Sequence, residues 1–291
     1  MARLLLPKKL YFRSLLAEAF EQCASQPIDV IDFAQIDWVQ PSGLAALACL
    51  VRLQQRTHPV AAEHATASPA FRYFQDMDFF RQFNNYTLED FSRIAENRAF
   101  ARLAEINATS NSSAIARNLA KIVAGHARPI HNDLFTCLEE SVRNVIDWAG
   151  SPGYAVAQTQ PVAGGERTYN IAICDYGSGI REVLSRNPRY AKVGGQEALA
   201  FAVQKGVSTA VAPGQGDNFG IGLYEIDRIA ETTKGRLILG SGEWVRIREA
   251  DQVRYEATPH WQGTAVELTL YLSGFRIVHE QPTLPRRLRF G

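Results

Sequence analysis

Leu138-Glu139-Glu140-Ser141-Val142-Arg143-Asn144-Val145-Ile146-Asp147-Trp148-Ala149 is the stretch that decides how this chain is read. A helix over residues 133–149 puts Leu134, Phe135, Leu138, Val142, Val145, Ile146 and Ala149 on one stripe, about 120° wide at the helical period. Asp133, Thr136, Glu140, Arg143, Asn144 and Asp147 fall on the opposite side. Glu140 and Asn144 are one turn apart, so both can reach one ligand. A carboxylate can orient and deprotonate an attacking water or hydroxyl. An amide oxygen one turn on can ligate Mg²⁺, a hard cation that takes oxygen ligands from protein, phosphate and water. The plain alternative is the solvated face of an amphipathic helix.

Three later segments answer this one. Tyr169-Asn170-Ile171-Ala172-Ile173-Cys174 reads as a buried strand running into Asp175-Tyr176-Gly177-Ser178-Gly179. An aspartate at a strand end can accept a hydrogen bond from an adenine amino group, and Gly177 and Gly179 allow close backbone approach and a sharp turn. An ordinary Asp-x-Gly turn is the alternative. Next, the glycine-dense residues 214–222, including Gly216, Gly220 and Gly222, precede a helix starting near Leu223. Backbone N–H groups at such a start can hold phosphate. The spaced glycines of dinucleotide folds and the Gly-Lys-Ser/Thr of a Walker loop are both missing. Residues 181–213 read as a long mobile segment, a lid in which Lys205 is the candidate charge. Gly263-Thr264 closes the series.

The rest of the chain bounds the reading. With 291 residues it has room for about two domains. Apolar residues make up 46% and charged residues 21%, which suits globular domains with cores. A net charge of +1 gives no reason to expect nucleic acid or an acidic membrane as partner. The basic end, Arg286, Arg287 and Arg289, reads as a solvated tail. Leu4-Leu5-Leu6 is too short for a signal core, and the apolar run at 43–51 is too short to cross a bilayer, so a cytoplasmic location is expected. The cysteines Cys23, Cys49, Cys137 and Cys174 form no close pair and read as small buried hydrophobes.

The first half, residues 1–95, alternates strands and helices. Residues 14–23 carry a helical pattern, residues 28–33 are β-rich, and Pro41-Ser42-Gly43 breaks the chain before a helix over 44–55 that Ser42 is placed to cap. Residues 68–82 read as a further helix. Phe71, Tyr73, Phe74, Phe79 and Phe80 suit a core, or a surface that docks the two halves. Residues 96–112 read as a linker or helical joint, residues 113–275 as the second domain, and 276–291 as a tail.

Taken together, the second half resembles the GHKL superfamily of gyrase-type, chaperone-type, histidine-kinase and anti-sigma-factor-kinase ATP-binding domains. Its N box is similar to Glu140-x-x-x-Asn144 with Asp147-x-Ala149, its Asp-x-Gly-x-Gly to Asp175-Gly177-Gly179, its second glycine box to Gly220-Ile221-Gly222-Leu223, and its late Gly-Thr to Gly263-Thr264. The resemblance implies Mg²⁺ on Asn144, Glu140 as general base, adenine on Asp175 with support from Thr264, and phosphates along Gly220 and Gly222. It also implies a largely antiparallel sheet with helices on one face, the Bergerat α/β sandwich. Residues 1–95 resemble the STAS domain of anti-sigma-factor antagonists, with residues 36–44 similar to its Asp-Ser-Ser-Gly-Leu site. That family is phosphorylated on a serine at a helix start. Ser42 is the candidate, although Gln40-Pro41 stands where the family has an acidic-Ser pair.

The expected fold is therefore a small STAS-like α/β domain followed by a GHKL domain. The expected function is a regulatory protein in which Mg-ATP controls binding to, or phosphorylation of, a protein partner. An ATPase switch without protein phosphorylation, and a non-catalytic interaction module, are the alternatives. Superfamily relatives often dimerise, so a homodimer stays open.

Overall fold

A computed structural model describes residues 2–23, 27–83, 99–124, 128–207 and 222–275. The chain opens with strand β1 (Ala2–Leu5), the two-residue β2 (Lys9–Leu10) and helix α1 (Phe12–Cys23). Strand β3 (Ile28–Asp32), β4 (Trp38–Val39), helix α2 (Pro41–Gln54), strand β5 (Ala61–Glu63) and helix α3 (Phe71–Asp76) follow. Strands β1, β3 and β5 make a parallel sheet with β3 in the middle, and β2 pairs with β4. Parallel neighbours need crossover helices, which α1 and α2 supply.

Helix α2 starts one residue before Ser42. Pro41 takes the first helical position, where its missing N–H costs nothing, and Gln40 precedes it. Ser42 is therefore inside the helix, and it does not cap it as the sequence suggested. Every residue of α2 from Pro41 to Val51 is buried, as suits a helix apolar all round. The aromatic run of α3 and just beyond it is core: Phe74, Phe79 and Phe80 are buried, with Phe74 and Phe79 edge-on to Phe33 and Phe80 tilted against it.

Strand β6 (Phe100–Ile106) starts the second half. Residues 100–106, expected in a linker or helical joint, are instead an outer strand of the main sheet. Ala101 and Ile106 pack on one face of the sheet and Leu103 on the other, with an irregularity in the pairing between Ala101 and Ala104 that breaks simple alternation and hid the strand from the joint reading. Helix α4 (Ser112–Ala120) is capped by Asn111, whose side chain accepts the Ala114 N–H at 2.9 Å. Helix α5 (Arg128–Asn144) runs into a π-helical turn over Val145–Ala149. Then come β7 (Gly153–Pro161), β8 (Arg167–Asp175), helices α6 (Ile180–Ser185), α7 (Gly195–Ala202) and α8 (Gly222–Thr232), and the long hairpin β9 (Arg236–Glu249) and β10 (Gln252–Tyr271). Much of the segment expected to be a mobile lid is thus helical, in α6 and α7.

The main sheet is antiparallel, in the order β6-β7-β8-β10-β9. The chain is a mixed α/β protein. Side chains alternate between two apolar clusters. Tyr154, Val156, Ala172, Cys174 and Ala265 point to one face, and Ala155, Ala157, Ile171, Ile173, Val266 and Leu268 to the other. The first face joins one continuous cluster with α1, α2 and the strands of the first half. The second is covered by residues of α4, α5 and α8. Helices therefore cover both faces, not one. Two-sided burial explains why residues 154–157 of β7 and 171–174 of β8 are apolar without alternation. No described helix is long and apolar enough to cross a membrane.

Candidate functional site

The sheet order sets the site. Strand β10 lies between β8 and β9, with Ala265 opposite Cys174, so Thr264 comes beside Asp175 at the end of β8. Helix α5 crosses the same face, and the start of α8 packs on α5. Between them is a cavity of about 140 Å³. Glu140, Asn144, Asp175, Gly222, Leu223 and Thr264, drawn from all four sequence segments, line it together. Its other walls are largely apolar, with Ile173, Val183, Leu184 and Val266 among them.

Asp175 is 4% exposed. Its Oδ1 accepts the Gly177 N–H at 2.9 Å and its Oδ2 the Thr264 N–H at 3.2 Å. Burial pushes its pKa up to about 7, against the pull of those hydrogen bonds from Gly177 and Thr264. A buried carboxyl at the end of an apolar slot suits a ligand with a polar edge and flat apolar faces.

Glu140 and Asn144 are half-buried on the cavity wall, not on a solvated face. A Cβ on Gly222 would come within 3.0 Å of the Glu140 carboxyl carbon, so a side chain here would crowd the carboxylate. Gly177 has a different reason from the one expected. A Cβ there would sit 1.8 Å from the Ala149 carbonyl oxygen. The close approach it permits is to the end of the π-helical turn. The neighbouring Ser178 N–H donates to that same oxygen at 2.7 Å. Gly179 precedes the first residue of α6. Ser178 also lines the cavity, and its hydroxyl receives Arg186 Nη2 at 3.0 Å.

Lys205 is not brought in. It is exposed on the turn between Ala202 and Val207, both of which line the cavity while Lys205 does not. Gly216 and Gly220 lie outside the described residues. Ser42 lies across the sheet from the cavity and is 1% exposed. Its hydroxyl accepts the Phe12 N–H at 3.4 Å and faces Glu267, whose pKa burial raises against the opposing effects of Ser42 and Arg236. A kinase cannot reach this hydroxyl while the first half is seated on the sheet.

Among the described residues no group of three His, Cys, Asp or Glu side chains could hold a metal. A cation here would need ligand oxygens besides Asn144, which is the usual state of Mg²⁺ bound with phosphates. Ser141 and Trp148, on the same helix as Glu140 and Asn144, are among the lining residues that the sequence reading did not single out. The signal for Trp148 was present: it is four residues after Asn144 and eight after Glu140, on the same face.

No protein-family model matches the chain, and no curated protein is significantly similar to it.

Proposed function

We propose that residues 113–275 form a GHKL-like domain that binds an adenine nucleotide with Mg²⁺, and that the STAS-like first half, residues 1–95, makes the chain a regulatory protein responding to that nucleotide. The observation that carries this reading is the convergence of Glu140, Asn144, Asp175, Gly222, Leu223 and Thr264 on one cavity. Asp175 would accept the amine of the base, with Thr264 holding its second oxygen. Asn144 would offer its amide oxygen to the cation, and Glu140 would orient and deprotonate the attacking oxygen. Bound Mg²⁺ supplies charge neutralisation at the phosphates.

The burial of Ser42 favours a second form of this reading. Transfer to Ser42 in cis is blocked, so an ATPase switch, or transfer to a protein partner, fits better than self-phosphorylation. Titration calorimetry of ADP and ATP with Mg²⁺ tests the core claim. Micromolar binding to wild type and at least a hundredfold loss in Asp175→Asn are expected. Correctly folded wild type that binds neither nucleotide would overturn the reading. Where binding holds, free phosphate without labelled protein would select the ATPase form.

A further inference from the structure

The hairpin of β9 and β10 does not run on as one flat pair. Its pairing is interrupted between Ala257 and Trp261 and again between Trp261 and Thr264. Residues 264–269 pair with 236–241, and residues 252–257 pair with 244–249. Gly242, with φ at +63°, lies between the two blocks of β9. The Ala250 N–H donates to the Gly235 carbonyl at 2.9 Å, and Lys234 pairs with Asp251. The end of β9 thus returns to its own beginning, and residues 252–257 are left on the outside. No other described strand pairs with them. Gln252, Val253, Arg254 and Ala257 are exposed, and Val253 is one of two exposed large apolar side chains among the described residues.

An open strand edge is a template for another chain, and proteins commonly block it with lysine, proline or a bulge. Residues 252–257 contain no lysine and no proline, and they pair with 244–249 without a break in register. The outer strand β6 is blunted by comparison. Its pairing is irregular between Ala101 and Ala104, and its Leu103 N–H donates to the Met77 carbonyl of the first half.

Arg254 and Glu256 stand opposite Ile247 and Val245, on the face turned to the first half, where Glu256 pairs with Arg13 of α1. Val253, Tyr255 and Ala257 point to the other face, where Tyr255 and Trp244 line an open hollow with the start of α7. We infer that two copies of this chain dimerise by joining their 252–257 edges, antiparallel, about a twofold axis at Tyr255. In that register Arg254 faces Glu256 of the second copy, and Glu256 faces its Arg254, the reciprocal contact that a twofold interface requires. A slip of two residues sets Arg254 against Arg254, or Glu256 against Glu256, and like charges directly opposite are destabilising. A slip of one turns the charged face against the apolar one. Val253 of the second copy comes beside Ala257, next to the Trp244–Tyr255 hollow. In the single chain Arg254 already bonds its own Glu256 at 2.9 Å. Pairing exchanges that contact for one across the axis, so the charges set register and partner while the backbone ladder supplies affinity.

The test is sedimentation of the full chain, without nucleotide, across micromolar concentrations. Wild type is expected at twice the chain mass. Arg254→Glu and Glu256→Arg each create two like-charge pairs, and each should weaken association about tenfold or more. Mixed in equal amounts, the two variants regain both opposite-charge pairs and should dimerise with each other. Cross-linking gives a second readout. Facing residues of antiparallel strands are close enough for a disulfide. Tyr255→Cys should therefore cross-link on mild oxidation, whereas Gln252→Cys, far along the strand from its counterpart, and wild type should not. A wild-type chain that stays monomeric throughout would overturn the proposal. So would a dimer that Arg254→Glu leaves intact and Tyr255→Cys does not cross-link, because it must use another surface. Folded single variants that fail to pair when mixed would overturn the register.

Discussion

Asp175 is a carboxyl poised between two charge states. Its pKa of about 7 means that the folded protein holds a proton that the unfolded chain would have released near pH 4. By linkage, its contribution to stability is complete at low pH and fades as pH rises through about 7. Ligand binding should run the other way. An amine donor prefers the ionised acceptor, so ADP affinity should rise between pH 6 and 8 and level off above. Calorimetry across that range checks this, and Asp175→Asn should flatten the profile. Gly177 gives a second prediction at this scale. An added methyl would drive into the Ala149 carbonyl, so Gly177→Ala should cost about 3 kcal/mol, the upper end for overpacking. Urea unfolding measures it. A cost below 1 kcal/mol would mean that the loop has slack. Asp175 was legible because a carboxylate ending an apolar strand is unusual in sequence. The true reason for Gly177 was not, because its neighbour is 28 residues earlier and joined only by the fold.

At the scale of elements, α5 was readable from its 3.6-residue stripe: Leu134, Leu138, Val142 and Val145 are all buried as the pattern demands. Truncating Leu138 to Ala should cost about 2–5 kcal/mol. Helix α8 shows what periodicity does not reveal. Its Asp227 is buried and accepts hydrogen bonds from both Arg246 and Arg248 on β9, at 2.7–3.0 Å. The two guanidiniums hold its pKa down although burial pushes it up. In sequence these arginines look like the polar side of a strand. Removing the one acid leaves two buried cations facing each other, so Asp227→Ala should destabilise by about 3–5 kcal/mol. A melting curve close to that of wild type would show that water or Glu231 replaces it. Strand β6 and helices α6 and α7 escaped the reading because each is short and its partner is distant in sequence.

At the scale of the whole molecule, the two halves share an apolar face. Phe12 of α1 lies edge-on to Trp261, with ring centroids 5.4 Å apart, and Trp261 lies edge-on to Tyr176 at 4.8 Å. Tyr176 follows Asp175 directly, and Cys49 of α2 donates to the Cys174 carbonyl at 3.3 Å. The back of the loop that starts at Asp175 thus rests on the first half. Residues 99–275 expressed alone would expose that face, and should bind a hydrophobic dye and aggregate. A soluble, monomeric fragment with a cooperative melt would contradict this. The docking was half visible in sequence. The apolar stretch at 171–174, read as a buried strand, says that both faces are covered, but not by what.

Strand β10 carries one further consequence, for how this protein can change through evolution. Thr264 and Val266 face the cavity, while Ala265 and Glu267 face the first half. A substitution at any of them can be absorbed by its neighbours. An inserted or deleted residue cannot, because it turns every later side chain to the opposite face, sending Glu267 into the cavity and Val266 toward Ser42. Lineages of this protein should therefore vary here in spelling but not in length.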